Sequence, residues 1–268
     1  MAYPFFDKGV QHLLDLVRPG MLCAFDFDGT LAPIVADPSD ARIPSPVLRR
    51  LAALTEFTPV AVITGRSVED VSLRLDFFPE YVIGNHGIEG MPGQETQEEF
   101  YRRTCQNWLE RLQAALQAQN FDSAVWIEDK TFSLSIHFRT AQDLSHTEAR
   151  LRELIRQQIP DAEVVEGKCV FNVLPAGAPC KGDALAMLRN TISAPSAIYI
   201  GDDVTDESVF RLPRQDLLTI RIEDAPDTAA QYYLQRQEQV IELLDMLLHR
   251  LSEVLLDKAG SKPPSSIT

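Results

Sequence analysis

Two aspartates one residue apart, Asp26 and Asp28, follow a continuous apolar run from Met21 to Phe25 and precede Gly29 and Thr30, which break it. Such a run reads as a buried strand that delivers charge at its carboxyl end. In an extended chain residues i and i+2 point the same way, so the two carboxylates are expected to share one small site. Carboxylates that close repel unless a proton or a cation joins them, and Mg²⁺, a hard ion that takes oxygen ligands, is the expected guest. The same residues also begin to look like a calcium loop. That reading fails at Thr30 and at the twelfth position, where Asp37 stands in place of glutamate.

Two further tips carry groups suited to the same site. Val60 to Ile63 stops at Thr64-Gly65-Arg66, after which Ser67-Val68-Glu69-Asp70 resembles a capping box that starts a helix. Ala197 to Ile200 ends in Gly201-Asp202-Asp203-Val204-Thr205-Asp206, and Lys181 opens a helix shortly before it. Phosphate monoesters hydrolyse so slowly that an enzyme must supply up to about 20 kcal/mol or more, and charge stabilisation is the main demand. A cation bridging carboxylate and phosphoryl oxygens would meet it, with Lys181, the Thr64 hydroxyl and N–H groups near Gly29 on the remaining oxygens. One carboxylate can then attack phosphorus while the other handles the proton of the leaving oxygen.

The elements that must hold these residues form an α/β pattern. Short apolar strands, including Tyr81 to Ile83 and Leu217 to Ile222, alternate with helices at about 5–17, 46–55 and 235–256, which predicts a Rossmann-like parallel sheet with right-handed crossovers. Ligands bind beyond the carboxyl ends of such strands, where the motifs collect. A proline-rich stretch from Ala32 to Pro46 reads as a loop. Residues 90–178 change character to an αββαββ unit, inserted between core segments 1–89 and 179–257. Within it Phe132, Leu134, Ile136 and Phe138 alternate with Ser133, Ser135, His137 and Arg139, leaving a polar face free for a ligand. Residues 258–268, rich in Pro, Ser and Gly, read as a disordered tail.

Composition bounds the partners. The 268 residues are 45% apolar and 24% charged, ordinary globular values, and the formal charge of −14 argues against nucleic acid and anionic membranes. A phosphate substrate must then be met by local positive groups. The four cysteines show no Cys-x-x-Cys spacing and fit a reducing cytoplasm, and neither a signal segment nor a long apolar span is apparent. A monomer is expected in preference to an oligomer.

The motifs Asp26-Phe-Asp-Gly-Thr-Leu31, Ile63-Thr64-Gly65-Arg66, Lys181-Gly182 and Gly201-Asp202-Asp203-x-x-Asp206, in this order, resemble the haloacid dehalogenase superfamily of phosphatases. The resemblance implies that Asp26 is the nucleophile forming an aspartyl-phosphate and Asp28 the general acid, then base. It implies that Thr64 and Lys181 bind phosphate, that Asp202 joins Asp26 and Asp28 around Mg²⁺, and that Asp206 stands just behind them. Residues 90–178 look like the α/β cap of the cap-bearing branch, whose closure would expel water. Within that branch the chain is similar to the trehalose-6-phosphate phosphatases, through Asn85-His86-Gly87-Ile88-Glu89, Glu128-Asp129-Lys130, His137-Phe138-Arg139 and Glu166-Gly167-Lys168. By that likeness His86, Glu128, Lys130, Arg139 and Lys168 hold sugar hydroxyls, with Gly29, Thr30 and Arg66 also on the substrate. One position departs: the family glutamate four residues after the cap lysine is Asn172 here, which removes a charge-assisted hydrogen bond worth about 1 to 2 kcal/mol. Another glycosyl or polyol phosphate is therefore the alternative substrate, and a non-catalytic sugar-phosphate binder the alternative of another class.

Overall fold

The computed structural model describes residues 2–167 and 169–260, excepting the side chains of 257–260. In chain order the elements begin with strand β1 (Tyr3–Pro4), helices α1 (Phe5–Lys8) and α2 (Val10–Leu16), strand β2 (Leu22–Phe25), helix α3 (Ser45–Leu54), strand β3 (Val60–Ile63), helix α4 (Val68–Ser72) and strand β4 (Tyr81–Ile83). Helix α5 (Glu95–Ala118), strands β5 (Trp126–Asp129) and β6 (Leu134–His137), helix α6 (Leu144–Gln158) and strands β7 (Ala162–Gly167) and β8 (Val170–Pro175) follow. The chain closes with α7 (Lys181–Thr191), β9 (Ala197–Gly201), α8 (Glu207–Phe210), β10 (Leu217–Ile222), β11 (Tyr232–Leu234) and α9 (Val240–Gly260).

These elements form two compact units, one made by the chain up to Pro92 together with that from Pro179 onward, the other by Gly93–Ala178. The seam falls at Pro92 rather than at residue 89. Glu89 bridges back to Gly84, and Met91 is buried with Ile83 and Leu185, so the chain stays attached to the first unit until Pro92.

The first unit is built on a seven-stranded sheet in the order β1-β11-β10-β9-β2-β3-β4, with every neighbouring pair parallel. Its central strands are apolar at every position because both faces are covered. Cys23, Phe25, Val60, Val62, Ile198 and Ile200 turn to a core with α2, α3 and α9, while Leu22, Ala24, Ala61, Ile63, Ala197 and Tyr199 turn to a core with α7 and α8. The period-two alternation thus divides each strand between two helical layers. After β2 the chain moves to β3 and β4 on one side, and later returns to place β9 on the other, so β2 stands where the winding reverses. Crevices at such a point are where α/β sheets bind ligands.

The second unit is an antiparallel sheet in the order β5-β6-β8-β7. Leu134, Ile136, Phe171 and Val173 on one face meet Cys105, Trp108 and Leu112 of α5 and Leu151, Leu154 and Ile155 of α6. The αββαββ order and the inward set Phe132, Leu134, Ile136 and Phe138, all buried, agree with the alternation in the sequence.

Three differences from the sequence reading have local causes. The first helix is two helices, broken at Gly9, where an added Cβ would stand 2.4 Å from the Phe5 ring. Strands β1 and β11 pair with each other but are too short to show a period. The closing helix begins at Val240, after a turn at Gln237–Gln239, and continues through Gly260, so the start of the expected tail is helical; 261–268 lie outside the described residues. No helix of the described residues is long and apolar enough to cross a membrane.

Phe25 is fully buried on β2 directly before the first aspartate. Phe25→Ala is expected to destabilise the first unit by about 3–5 kcal/mol, read from its denaturant midpoint; an unchanged midpoint would show that this core does not support the site.

Candidate active site

Strands β9, β2 and β3 are neighbours, and Phe25 lies opposite Ile200 on one side and Val62 on the other, so the chain leaves all three at one level. The Asp26 N–H still donates to the Ile200 carbonyl at 2.9 Å. Continuing the alternation, Asp26 follows Ala24 toward the α7 layer, and the first residue of α7 is Lys181. The Lys181 Nζ lies 3.0 Å from Asp26 Oδ1 and 2.8 Å from Asp206 Oδ1, with all three residues buried.

Asp206, on a tight turn over Val204–Asp206, has both oxygens engaged. Oδ1 accepts from Lys181 and, at 2.6 Å, from the Tyr199 hydroxyl; Oδ2 accepts from the N–H groups of Asp202 at 3.0 Å and Asp203 at 2.9 Å. A fully buried carboxylate requires such donors. Asp206 therefore aims Lys181 at Asp26 and shapes the turn that presents Asp202.

Asp202 completes the cluster: one oxygen from each of Asp26, Asp202 and Asp206 lies within 4.8 Å of the others. Thr30 Oγ1 donates to Asp202 Oδ1 at 3.3 Å. Gly29 has φ +75°, and a Cβ there would stand 2.0 Å from Asp202 Oδ2, so only glycine lets the loop come this close. A cavity of about 470 Å³ opens beside Gly29 and Asp202 and is lined also by Pro33, Ile34 and Arg221.

Burial raises the Asp26 carboxyl well above its ordinary value; Lys181 opposes this and Asp206 reinforces it. Burial first, then the charges of Asp206 and Asp203, push Asp202 from 3.8 to about 6, against Lys181 and Thr30. For Lys181, burial acts to lower the value, but the Asp26 and Asp206 carboxylates outweigh it and carry it upward, so the ammonium stays charged. Carboxylates that resist ionisation side by side, with only hard oxygen donors, fit a small divalent cation.

Asp28 does not join this cluster, contrary to the expected shared site. Strand β2 ends at Phe25, so the alternation that would align Asp28 with Asp26 stops before it applies. The Asp28 carboxylate is instead forked by Arg66, whose Nε and Nη2 reach its two oxygens at 2.7 Å each. The third carboxylate of the cluster is Asp206 in place of Asp28. Arg66 is likewise committed, to Asp28 and at 2.7 Å to Asp70, rather than open toward a substrate. Thr64, at the end of β3, is buried and its hydroxyl accepts the Arg66 N–H at 3.2 Å. His86 adopts φ +59°, donates its N–H to the Thr64 carbonyl at 2.9 Å and lays its ring against Gly65, where a Cβ would be 2.5 Å from Cε1. It shapes the turn that carries Thr64.

The match that identifies this arrangement covers residues 24–238, which fit the family model for trehalose-phosphatase. The chain belongs to the trehalose-phosphatase family. It is 27% identical over 270 residues to probable trehalose-phosphate phosphatase I of Arabidopsis thaliana, spanning 92% of this chain and 73% of that protein. It is 31% identical over 244 residues to the trehalose-phosphate phosphatase of Mycobacterium bovis, spanning 87% and 62% respectively. In fold it matches the trehalose-6-phosphate phosphatase of Aspergillus fumigatus, with a TM-score of 0.69 at 23% identity over 93% of this chain and 99% of that one. This trehalose-phosphatase family member is thus a phosphoric monoester hydrolase of the haloacid dehalogenase superfamily.

The remaining expected residues lie in the second unit. Glu128, Ser135 and Asn172 are cross-strand neighbours on β5, β6 and β8, on the face opposite Ile136 and Phe171. Glu128 Oε2 is 2.9 Å from His137 Nε2 and 3.8 Å from Lys130 Nζ, and Asn172 Oδ1 accepts the Ser135 hydroxyl at 2.7 Å. Arg139 is exposed just after β6. Lys168 lies outside the described residues, and Glu166 pairs with Arg152. Two further residues, Tyr199 and Trp126, belong to none of the sequence motifs. Tyr199 is the one hydroxyl in an otherwise apolar buried strand, which is a signal that a partner must be near. Trp126, half exposed, stacks on His137 at 4.2 Å.

The raised Asp202 value has a sign. Between 3.8 and about 6 the folded protein holds a proton that the unfolded chain has lost, so the contribution of protonated Asp202 is complete at low pH and lost as pH rises through about 6. In cation-free buffer, thermal midpoints from about pH 4 to about pH 7 should shift in favour of Asp202→Asn relative to the wild type, and saturating divalent cation should reverse the trend. A difference that stays flat with pH would contradict this account of Asp202.

Proposed function

We propose that this chain hydrolyses trehalose 6-phosphate to trehalose and phosphate, with Mg²⁺ as cofactor and an aspartyl-phosphate on Asp26 as intermediate. The observation that carries the reading is Asp26, buried at the end of β2 and paired with Lys181 beside Asp202, in a chain whose curated relatives bear the name trehalose-phosphate phosphatase. Asp26 attacks phosphorus as the bond to the sugar oxygen breaks, and Asp28 gives that oxygen its proton. Asp28 then takes a proton from water as the water attacks phosphorus and the Asp26–phosphorus bond breaks. Lys181 and Thr64 hold phosphoryl oxygens, and N–H groups near Gly29 and Thr30 add donors. Mg²⁺, held by Asp26 and Asp202, would supply positive charge against the phosphoryl oxygens. Asp206 has no lone pair left uncommitted among its four donors and serves to orient the others. The cap residues Glu128, Lys130, Arg139, Lys168 and Asn172 are assigned to the sugar hydroxyls. Four unpaired cysteines support a reducing, cytoplasmic setting.

Asn172 favours a second reading in which the sugar differs. Its amide oxygen accepts from Ser135 and its amide nitrogen donates to the Val165 carbonyl at 3.5 Å, so one neutral N–H remains where a glutamate would offer a charged acceptor. The two readings separate on a panel of phosphate esters with and without Mg²⁺. Trehalose 6-phosphate is expected to exceed glucose 6-phosphate in kcat/KM by about tenfold or more, with turnover lost on chelation. Preference for another glycosyl or polyol phosphate would transfer the assignment to it.

Asp26→Asn should lower phosphate release by about a thousandfold or more while the thermal midpoint holds or rises. Undiminished release by that variant would refute the nucleophile.

A further inference from the structure

We propose that Asp70 is a positioning residue for this reaction, acting through Arg66 on Asp28. The inference rests on the reading of Asp28 as the group that protonates the leaving oxygen. Asp70 is the third residue of α4, and its N–H is capped by the Ser67 hydroxyl at 3.1 Å, so local structure fixes its place. Its carboxylate takes Arg66 Nη1 at 2.7 Å and Arg74 through Nη2 at 2.6 Å and Nε at 3.3 Å. With the Arg66 fork on Asp28, the result is an alternating row: Asp28, Arg66, Asp70, Arg74.

The two guanidinium groups are the buried members of the row, with side chains 12% and 10% exposed against 36% and 37% for the two carboxylates. Their remaining donors reach the proline-rich loop: Arg66 Nη2 gives 2.9 Å to the Pro38 carbonyl and Arg74 Nη1 gives 3.3 Å to that of Ser39. A planar guanidinium can serve two carboxylates at once through donors fixed in one plane.

Both oxygens of Asp28 are engaged by Arg66. To hand a proton to the leaving oxygen, Asp28 must free one of them, and Arg66 must stay where it is while this happens. Asp70 provides that hold, because Arg66 keeps a charged partner through Nη1 whether or not Asp28 is engaged. Without Asp70 the whole guanidinium charge falls on Asp28, which is then bound more tightly and in a less defined direction.

The test compares two esters. Asp70→Asn should lower kcat/KM for trehalose 6-phosphate about tenfold, and change it less than about twofold for p-nitrophenyl phosphate, whose leaving group needs no proton. Asp70→Glu, which keeps the charge, should recover most of the loss. In an Arg66→Gln background, Asp70→Asn should add nothing. Equal losses on the two esters, or losses that multiply in the double variant, would overturn the proposal. Failure of the parent reading has a different signature: Asp28→Asn would then spare the sugar ester, which overturns both, whereas a selective defect in Asp28→Asn without one in Asp70→Asn overturns only the role of Asp70.

Discussion

The site is organised around one buried ammonium shared by two buried carboxylates. Taking an ion out of water costs several kcal/mol even after relaxation, so Asp26, Asp206 and Lys181 can be buried together only if each finds partners in good geometry. Lys181 bridges the two, and Asp206 uses its remaining capacity on Tyr199 and two backbone N–H groups. The helices must comply as well. A Cβ on Gly182 would lie 2.5 Å from the Ser208 carbonyl oxygen, so glycine directly after Lys181 lets α7 approach α8 closely enough for the ammonium to reach Asp206. The sheet, the glycine and the tyrosine all serve this single arrangement of charge.

Much of this was legible from residue order. A strand buried on both faces must read as an unbroken apolar run, and a carboxylate at its end must lie near the carboxyl edge of the sheet; that logic locates Asp26, Thr64 and Asp202 on adjacent strands. The direction of Asp28 was not legible, because it depends on whether the strand ends one residue before Asp26 or two after, and the alternation rule has no meaning past the last paired residue. The burial of Asp206 was hidden for a related reason. An acid at the start of a short helix is usually solvated, and only the tertiary placement of Tyr199 and Lys181 turns this one inward. Strands of two or three residues, such as β1 and β11, carry no period at all and exist because parallel neighbours complete their hydrogen bonds.

The two units differ in chemical character. The first gathers charge at the end of a parallel sheet, where backbone N–H groups and a buried lysine meet buried carboxylates. The second sets Glu128, Ser135 and Asn172 side by side across an antiparallel sheet whose other face forms its own core, and Ser135 itself is buried, so the expected open polar face is interrupted there. An antiparallel sheet covered on one side leaves alternate side chains available for recognition without disturbing packing. Substitutions on that face, such as asparagine for glutamate, therefore leave the apolar core of the second unit undisturbed.

Charge ties these features together. The cluster of Asp26, Asp202 and Asp206 with Lys181 carries two net negative charges when all groups are ionised, which equals the charge of one divalent cation. Without that cation, burial and mutual repulsion hold both Asp26 and Asp202 above the ordinary carboxylate range. Among the described residues Asp202 accepts from Thr30 while Asp206 has four donors and Asp26 has Lys181; burial first, then the charges of Asp206 and Asp203, push Asp202 up to about 6. A bound divalent cation would bring the cluster to neutrality overall. This matters in a chain of net charge −14, whose long-range field repels phosphate. Beyond a Debye length of about 8–10 Å salt screens that repulsion, and within it the local cation and Lys181 decide the sign. An acidic chain and a locally neutralised cluster are compatible because their charges act over different distances.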